Sequence, residues 1–199
     1  ISSYKKEALP ESIKEYVSKA QGAMKKLQNL VNDLLDVSKI HGGQLLYDKV
    51  EFNLIDLVGT CIENFNYLYP ERKLVCDCAD HLLVYGNVGR IEQVIMNLIS
   101  NAVKYSPETT EISIIAKAEN DKAVVSVIDS GIGLSDEQKN RIFERFYRVE
   151  DKKFLTSGLG MGLYISSEII KSHGGVLKVS SNFGVGSTFS LELPLLEEN

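Results

Sequence analysis

Apolar positions along this chain follow two different rhythms. Between residues 11 and 40, Ile13, Tyr16, Val17, Ala20, Met24, Leu27, Leu30, Val31, Leu34 and Val37 recur close to heptad spacing, which predicts one long helix. Pro10 stands where a first turn begins and Gly42-Gly43 where the helix would stop. A single helix cannot bury such a stripe by itself. It is either an ordinary core helix packed on the rest of the chain or one arm of a helical hairpin that dimerises, and the periodicity favours the hairpin.

After Gly43 the texture changes to short strands and helices. The pattern predicts a strand at 45–52, an amphipathic helix at 54–68 stopped near Pro70, strands at 74–78 and 82–85, and a helix at 88–105. Strands at 111–118 and 122–129 flank the turn Glu119-Asn120-Asp121, a hairpin signal. A short helix at 136–146, a polar segment of flexible character at 149–157 and a helix at 162–173 follow. A second hairpin joins 176–181 to 187–193 around residues 182–186. Hairpins with helices between them predict an α+β fold, a two-layer α/β sandwich with one mixed sheet covered by helices on one face and preceded by the long helix. The other sheet face should be partly wet. The expected division is 1–43 for the helical part and 44–199 for the α/β part.

The helix at 88–105 has polar residues gathered on one side. Ile91, Val94, Ile95, Leu98, Ile99, Ala102 and Val103 follow helical spacing toward a core. Asn97 and Asn101 are four apart and Lys104 is three further on, so these three share the opposite face. Asn competes with helix backbone hydrogen bonds. Two of them beside a Lys suggest a place for a hard cation and a phosphate.

Four further clusters matter. Asp129 ends an apolar strand and is followed by Ser130, Gly131, Ile132, Gly133 and Leu134. An acid there accepts a hydrogen bond from a flat ligand, and the glycines allow close approach or positive φ; a plain Asp-Ser-Gly turn explains the same residues. In the run from Phe143 to Arg148, Phe143 and Phe146 read as core. Arg148 reads either as a bidentate phosphate contact or as a solvated charge. Gly158, Leu159, Gly160, Met161, Gly162 and Leu163 open the next helix, whose free N–H groups make an anion site. Their spacing is neither a dinucleotide fingerprint nor a P-loop, and the His-Arg-Asp and Asp-Phe-Gly pair of eukaryotic-type kinases is missing. Gly184, Gly186, Ser187 and Thr188 form a last turn, from which Thr188 could reach a ligand. In this order the clusters describe an adenine-nucleotide site.

Composition bounds this picture without redirecting it. The chain has 199 residues and a net charge of −5, which argues against a nucleic-acid partner. No apolar run in this sequence is long enough to span a bilayer, and its first residues do not read as a signal peptide. A first residue of Ile1 leads us to expect a piece of a longer, cytoplasmic or membrane-anchored protein, any membrane segment lying outside this chain. The three cysteines, Cys61, Cys76 and Cys78, fit a reducing cytosol better than a disulfide framework. Cys76, Cys78 and His81 read more readily as an alternating strand and turn than as a metal cluster, since no second ligand pair follows.

In this order the motifs resemble those of the sensor histidine kinases of two-component signalling. Residues 97–107 look like the N box, 129–134 the first glycine box, 143–148 the F box, 158–163 the second glycine box and 184–188 the third. Residues 11–43, ending Leu-Leu-Asp-Val-Ser-Lys-Ile before His41, resemble the second helix of the dimerisation and phosphotransfer domain. The resemblance implies a Bergerat-type ATP-binding fold with ATP and Mg²⁺ as ligands. By position, Asn101 would ligate Mg²⁺ with Asn97 assisting, and Lys104 would contact phosphate. Asp129 would accept from the adenine amino group, and Tyr105 and Tyr147 would line the pocket. Arg148 would approach the polyphosphate and help transfer, Gly160 and Gly162 would hold phosphate, and 149–157 would be a lid. The implied partners are a response-regulator receiver domain and a second copy through the helical stem. One departure stands out. His41, His81 and His173 are the only histidines, and none is followed by Glu as the family's acceptor is. The acceptor is expected upstream of Ile1 or lacking in the parent. The rival readings are a gyrase- or MutL-type ATPase, disfavoured because Asn97 stands where those use a general-base Glu, and a nucleotide-binding scaffold without transfer.

Overall fold

The computed structural model describes residues 11–41, 48–149 and 159–196. The expectations for Pro10, the Gly42-Gly43 stop, residues 45–47, the lid at 150–157 and Gly158 lie outside the described residues. The long helix forms as α1, Glu11–His41. A short strand β1 (Val50–Asn53) leads into α2 (Leu54–Leu68), where Asn53 is the cap. Its side-chain oxygen accepts from the Ile55 N–H and also from the Leu82 N–H at 3.0 Å, tying the start of α2 to the next strand pair. Strands β2 (Leu74–Cys78) and β3 (Leu83–Gly86) precede α3 (Val88–Tyr105), capped by Asn87 on the Arg90 N–H at 3.0 Å.

Strands β4 (Ile112–Glu119) and β5 (Lys122–Asp129) form the first expected hairpin. Asn120 and Asp121 both have positive φ, the conformation a two-residue primed turn needs. Helix α4 (Asp136–Arg141) begins with a Ser135–Gln138 capping box. Helix α5 (Gly162–Ser172) and the hairpin of β6 (Val176–Asn182) with β7 (Gly186–Pro194) complete the chain.

The main sheet runs β2-β4-β5-β7-β6, with β2 and β4 parallel and every other pair antiparallel. The expected mixed sheet with helices on one face is therefore present. Strands β1 and β3 do not join it; they pair with each other, Val50 opposite Gly86, as a separate ribbon. Ile91, Val94, Ile95, Leu98, Ile99 and Ala102 of α3 are buried as their spacing predicts, while Val103 is only half-buried. They meet Ile165, Ile169 and Ile170 of α5 and the inward residues of the sheet, among them Ile112, Ile114, Val125, Val127 and Leu191. Each buried Val, Leu or Ile among them stabilises the fold by about 1.5–3 kcal/mol relative to exposure. The opposite sheet face is polar. Ser126 and Ser190 exchange a hydroxyl hydrogen bond at 2.8 Å, and Lys122 and Lys178 both pair with Glu192.

Three local expectations are corrected. Helix α4 stops at Arg141 instead of continuing to 146, and Phe146 sits in the left-handed region at φ 63°. Phe143 packs against the core, but Phe146 is 62 % exposed. Cys76 and Cys78 are bonded as a disulfide within β2. Residues two apart share a strand face, and the Cα atoms are 6.0 Å apart, within the span of a disulfide. Only Cys61 is free, and it is buried, with desolvation and the Glu92 charge pushing its thiol pKa up to about 12.

Helix α1 leaves most of its stripe uncovered. Ile13, Tyr16, Val17, Met24, Leu27, Val31 and Leu34 are all exposed. Contact with the sandwich concentrates near its end, where Asp36 is buried and Val37 packs on the core. An ordinary core helix does not look like this.

Candidate functional site

A cavity of about 940 Å³ opens between α3, the start of α5 and the end of β5. Asn97, Asn101, Lys104 and Tyr105 of α3 line one wall. The heptad-like burial of the opposite α3 face fixes that wall, because Leu98 and Ala102 in the core turn Asn97 and Asn101 outward. Across from it stand Leu159, Gly160, Met161, Gly162 and Leu163. Helix α5 has no side-chain cap at Met161, so its first N–H groups are available to an anion.

Two glycines shape this meeting. A Cβ on Gly162 would lie 2.7 Å from the Asn97 Oδ1 atom, so the absence of a side chain lets the amide rest against the helix start. Gly160 has φ 71°, and a Cβ there would strike the Tyr147 carbonyl and the Arg148 side chain. The backbone carrying Tyr147 and Arg148 is thereby packed directly against the glycine-led turn, and both residues line the cavity. Asn97 donates through Nδ2 to the Ser166 hydroxyl of α5 at 3.0 Å. Lys104 Nζ stands 4.8 Å from the Tyr105 ring centre, and the Arg141 guanidinium covers Tyr147 at 4.5 Å.

Asp129 forms the far end of the cavity and is buried. Desolvation pushes its carboxyl pKa above the ordinary 3.8, against the Gly131 and Ser187 N–H groups and the Ser106 hydroxyl, which favour the charge. The Gly131 N–H donates to Oδ1 at 2.8 Å. Ser106, itself buried, faces the carboxylate without closing a hydrogen bond of standard geometry. A carboxylate held this way in a cavity is an acceptor short of a strong donor, which an exocyclic amine on a flat base supplies.

The structure brings together Asn97, Asn101, Lys104, Tyr105, Asp129, Gly133, Leu134, Tyr147, Arg148 and residues 159–163 around one cavity. Gly131 stands just outside, where a Cβ would collide with the Tyr105 carbonyl. Gly133, at φ 63°, packs against Asn182. Thr188 is set apart. It lies on the polar sheet face with Ser126 and Ser190, and its neighbour Ser187 takes the cavity side. The two alternate along β7, so the turn motif alone could not say which faces inward. Sequence reasoning also missed Ser166, four residues after Gly162, and the α1 residues Leu30, Asn32, Leu35 and Asp36 that border the cavity.

The donor set suits a hard ion only in part. Asn97 and Asn101 offer neutral amide oxygens, and among the described residues there is no group of three or more His, Cys, Asp or Glu that could hold a metal. Such a wall fits Mg²⁺ that takes its remaining oxygens from phosphates and water.

Residues 86–197 match the family described as the histidine kinase-, DNA gyrase B- and HSP90-like ATPases. The chain belongs to this family. Among curated relatives, it is 28 % identical over 188 residues to the sensor-like histidine kinase SenX3 of Mycolicibacterium smegmatis, covering 93 % of this chain and 49 % of that one. It is 34 % identical to the hybrid signal transduction histidine kinase B of Dictyostelium discoideum, covering 94 % of this chain and 10 % of that one. The chain thus spans about half the length of one of these relatives and about a tenth of the other. The catalytic domain of the histidine kinase ThkA superposes with a TM-score of 0.65 at 30 % identity, covering 74 % of this chain and 97 % of that one. Full-length ShkA in complex with AMPPNP shares the fold, with a TM-score of 0.80 at 24 % identity over 96 % of this chain and 41 % of that one. The family's two-layer fold, with a five-stranded mixed sheet, is the one expected from the strand and helix pattern. Within the family, these relatives are histidine kinases.

Proposed function

We propose that this chain binds ATP with Mg²⁺ and is the catalytic portion of a sensor histidine kinase, passing the γ-phosphoryl group to a histidine carried outside the chain. The observation that carries this reading is the arrangement of one cavity. Asn97, Asn101 and Lys104 face the uncapped start of α5, and the buried Asp129 closes the other end. Asp129 would accept from the adenine amino group. The α5 N–H groups, Lys104 and Arg148 would hold the polyphosphate. Asn101, with Asn97 beside it, would hold Mg²⁺, which supplies charge neutralisation at the transferring phosphoryl group. Asn97 cannot take a proton from water as a carboxylate would, which favours transfer to a strong nucleophile over hydrolysis.

In the same reading, 1–43 belongs to a dimerising helical stem and 44–199 is the ATP-binding unit. The exposed apolar stripe of α1 would meet a second copy or an upstream helix, and the phosphoryl group would pass on to a receiver-domain aspartate of a response regulator. This assignment places the chain on the cytoplasmic side; among the described residues no helix is long and apolar enough to cross a membrane. Calorimetric titration of the chain with ATP, with and without Mg²⁺, tests the binding. Radiolabelled ATP with a separately supplied helical domain carrying a His-Glu acceptor tests the chemistry. Label on that histidine supports the kinase, whereas steady phosphate release without it would replace the kinase with an ATPase.

A further inference from the structure

Among the α1 side chains that the structure describes, Asp36 is the buried one, and most of the others are open to solvent. It is 7 % exposed, while Leu34 and Leu35 beside it are 54 % and 52 % exposed. Docking α1 on the sandwich therefore covers a carboxylate more completely than the two leucines before it. A covered carboxylate is tolerated only with partners, and Asp36 has them on α3. Arg90 Nη1 lies 2.8 Å from both Oδ1 and Oδ2, and Gln93 Nε2 donates to Oδ2 at 3.1 Å. Arg90 Nη1 also meets Gln93 Oε1 at 2.9 Å, closing a three-residue ring.

These partners are part of the cavity wall. Arg90, Gln93, Asn97, Asn101 and Lys104 are spaced 3, 4, 4 and 3 apart, a single stripe along α3. The same cavity is lined by Asp129, near the end of α3, and by Asp36 and Asn32 of α1, near its start. Arg90 precedes Asn97 by two helical turns, about 10 Å of rise. A polyphosphate seated against Asn97 and Lys104 thus shares one cavity with the Asp36 carboxylate and faces the same row of α3 side chains. It repels Asp36 and competes with it for Arg90.

We propose that Asp36, Arg90 and Gln93 form a latch that holds α1 against the nucleotide cavity and that a bound polyphosphate loosens. The coupling rests on the nucleotide reading of the cavity; the latch itself rests only on the contacts. Filling the cavity then releases the end of the long helix. By reciprocity, releasing the helix favours polyphosphate binding by the same factor. The adenine end takes no part, because Asp129 lies at the far side of the cavity.

Amide hydrogen exchange over residues 32–38 of the whole chain reads the latch. Asp36→Asn removes the charge with little change of shape, and Arg90→Gln removes its partner. Each should speed exchange over this stretch by about tenfold or more, as expected for loss of a charge-assisted pair. Saturating Mg·ATP should speed it in the unaltered chain, adenosine should not, and Mg·ATP should add nothing in Asp36→Asn. Exchange unchanged in both variants would overturn the latch. Exchange unmoved by Mg·ATP, with binding verified by calorimetry, would overturn the coupling. A chain that binds no ATP at all sinks the nucleotide reading and the coupling together, while the two variants still decide the latch.

Discussion

Asn97 and Asn101 look alike in sequence but occupy different surroundings. Asn97 is clasped between the Ser166 hydroxyl and the bare backbone of Gly162, so its amide is held in place before any ligand arrives. Asn101 sits one helical turn further on, beside Lys104, where an oxygen can turn toward an ion. Asn101→Ala should weaken Mg²⁺-dependent ATP binding by about tenfold or more, since an oxygen ligand is lost, and leave the fold intact; unchanged affinity by calorimetry would end the metal assignment. Asp129 predicts a pH dependence. Burial raises its carboxyl pKa above 3.8, so as pH falls from neutral it takes up a proton earlier than an ordinary aspartate. Adenine binding should therefore weaken at a pH where an exposed carboxylate is still charged. Asp129→Asn should abolish that dependence and reduce the preference for ATP over GTP by about tenfold, for loss of one charge-assisted hydrogen bond. Parallel titrations with the two nucleotides across pH measure both. At this scale the sequence was informative for Asn101, Lys104 and Asp129, whose types are unusual for their places. It was silent on which side Thr188 takes, because a strand turns alternate residues to opposite faces and a Gly-Ser-Thr turn does not disclose the register.

At the scale of elements, α3 and α5 meet through small contacts that the core makes possible. Leu98 of α3 is buried in the core and does not line the cavity. Leu98→Ala should destabilise the chain by about 2–5 kcal/mol, measurable by denaturant unfolding, and lower ATP affinity only in proportion to the unfolded fraction. Gly162→Ala separates the two roles the other way. Alanine's preference over glycine, about 1 kcal/mol in a helix interior, applies only in part at this first helical position, and its Cβ would stand 2.7 Å from Asn97 Oδ1 and push the amide aside. Thermal stability should hold while ATP binding falls by about tenfold, as for any displaced ligand group. Helix spacing revealed α3 and α5 in the sequence because one buried face repeats over many residues. The end of α4 was not legible. Nothing in the run Ile142 to Tyr147 announces that Phe146 leaves the helical region, and it does so where its backbone packs on Gly160.

For the molecule as a whole, His173 joins two distant segments. The imidazole is buried between the end of α5 and the start of α3, with Nδ1 on the Ile169 carbonyl at 2.7 Å and Nε2 accepting the Asn87 N–H at 3.0 Å. Desolvation lowers its pKa below the ordinary 6.5. The folded chain therefore keeps a neutral ring that the unfolded chain protonates. This contribution is fully present above about pH 6.5 and is lost as pH falls from there toward the folded value. Stability curves between pH 7 and pH 5 should show that decline, and His173→Gln should flatten it. The disulfide belongs to this scale too. Cys76 and Cys78 are near in sequence, and the bond between them lies on β2, which pairs with β4 at the edge of the main sheet.

The sequence by itself determined the order of strands and helices, the α3 face that carries the Asn and Lys residues, and the acid at the end of β5. These rest on spacing and residue type, which are local. Tertiary structure decided that Ser187 and not Thr188 faces the cavity, and that β1 pairs with β3 outside the main sheet. It also decided that Asp36 of the long helix closes onto Arg90. Each depends on contacts between segments far apart in the chain, and a hydrophobic pattern records which residues seek cover but not which partner covers them.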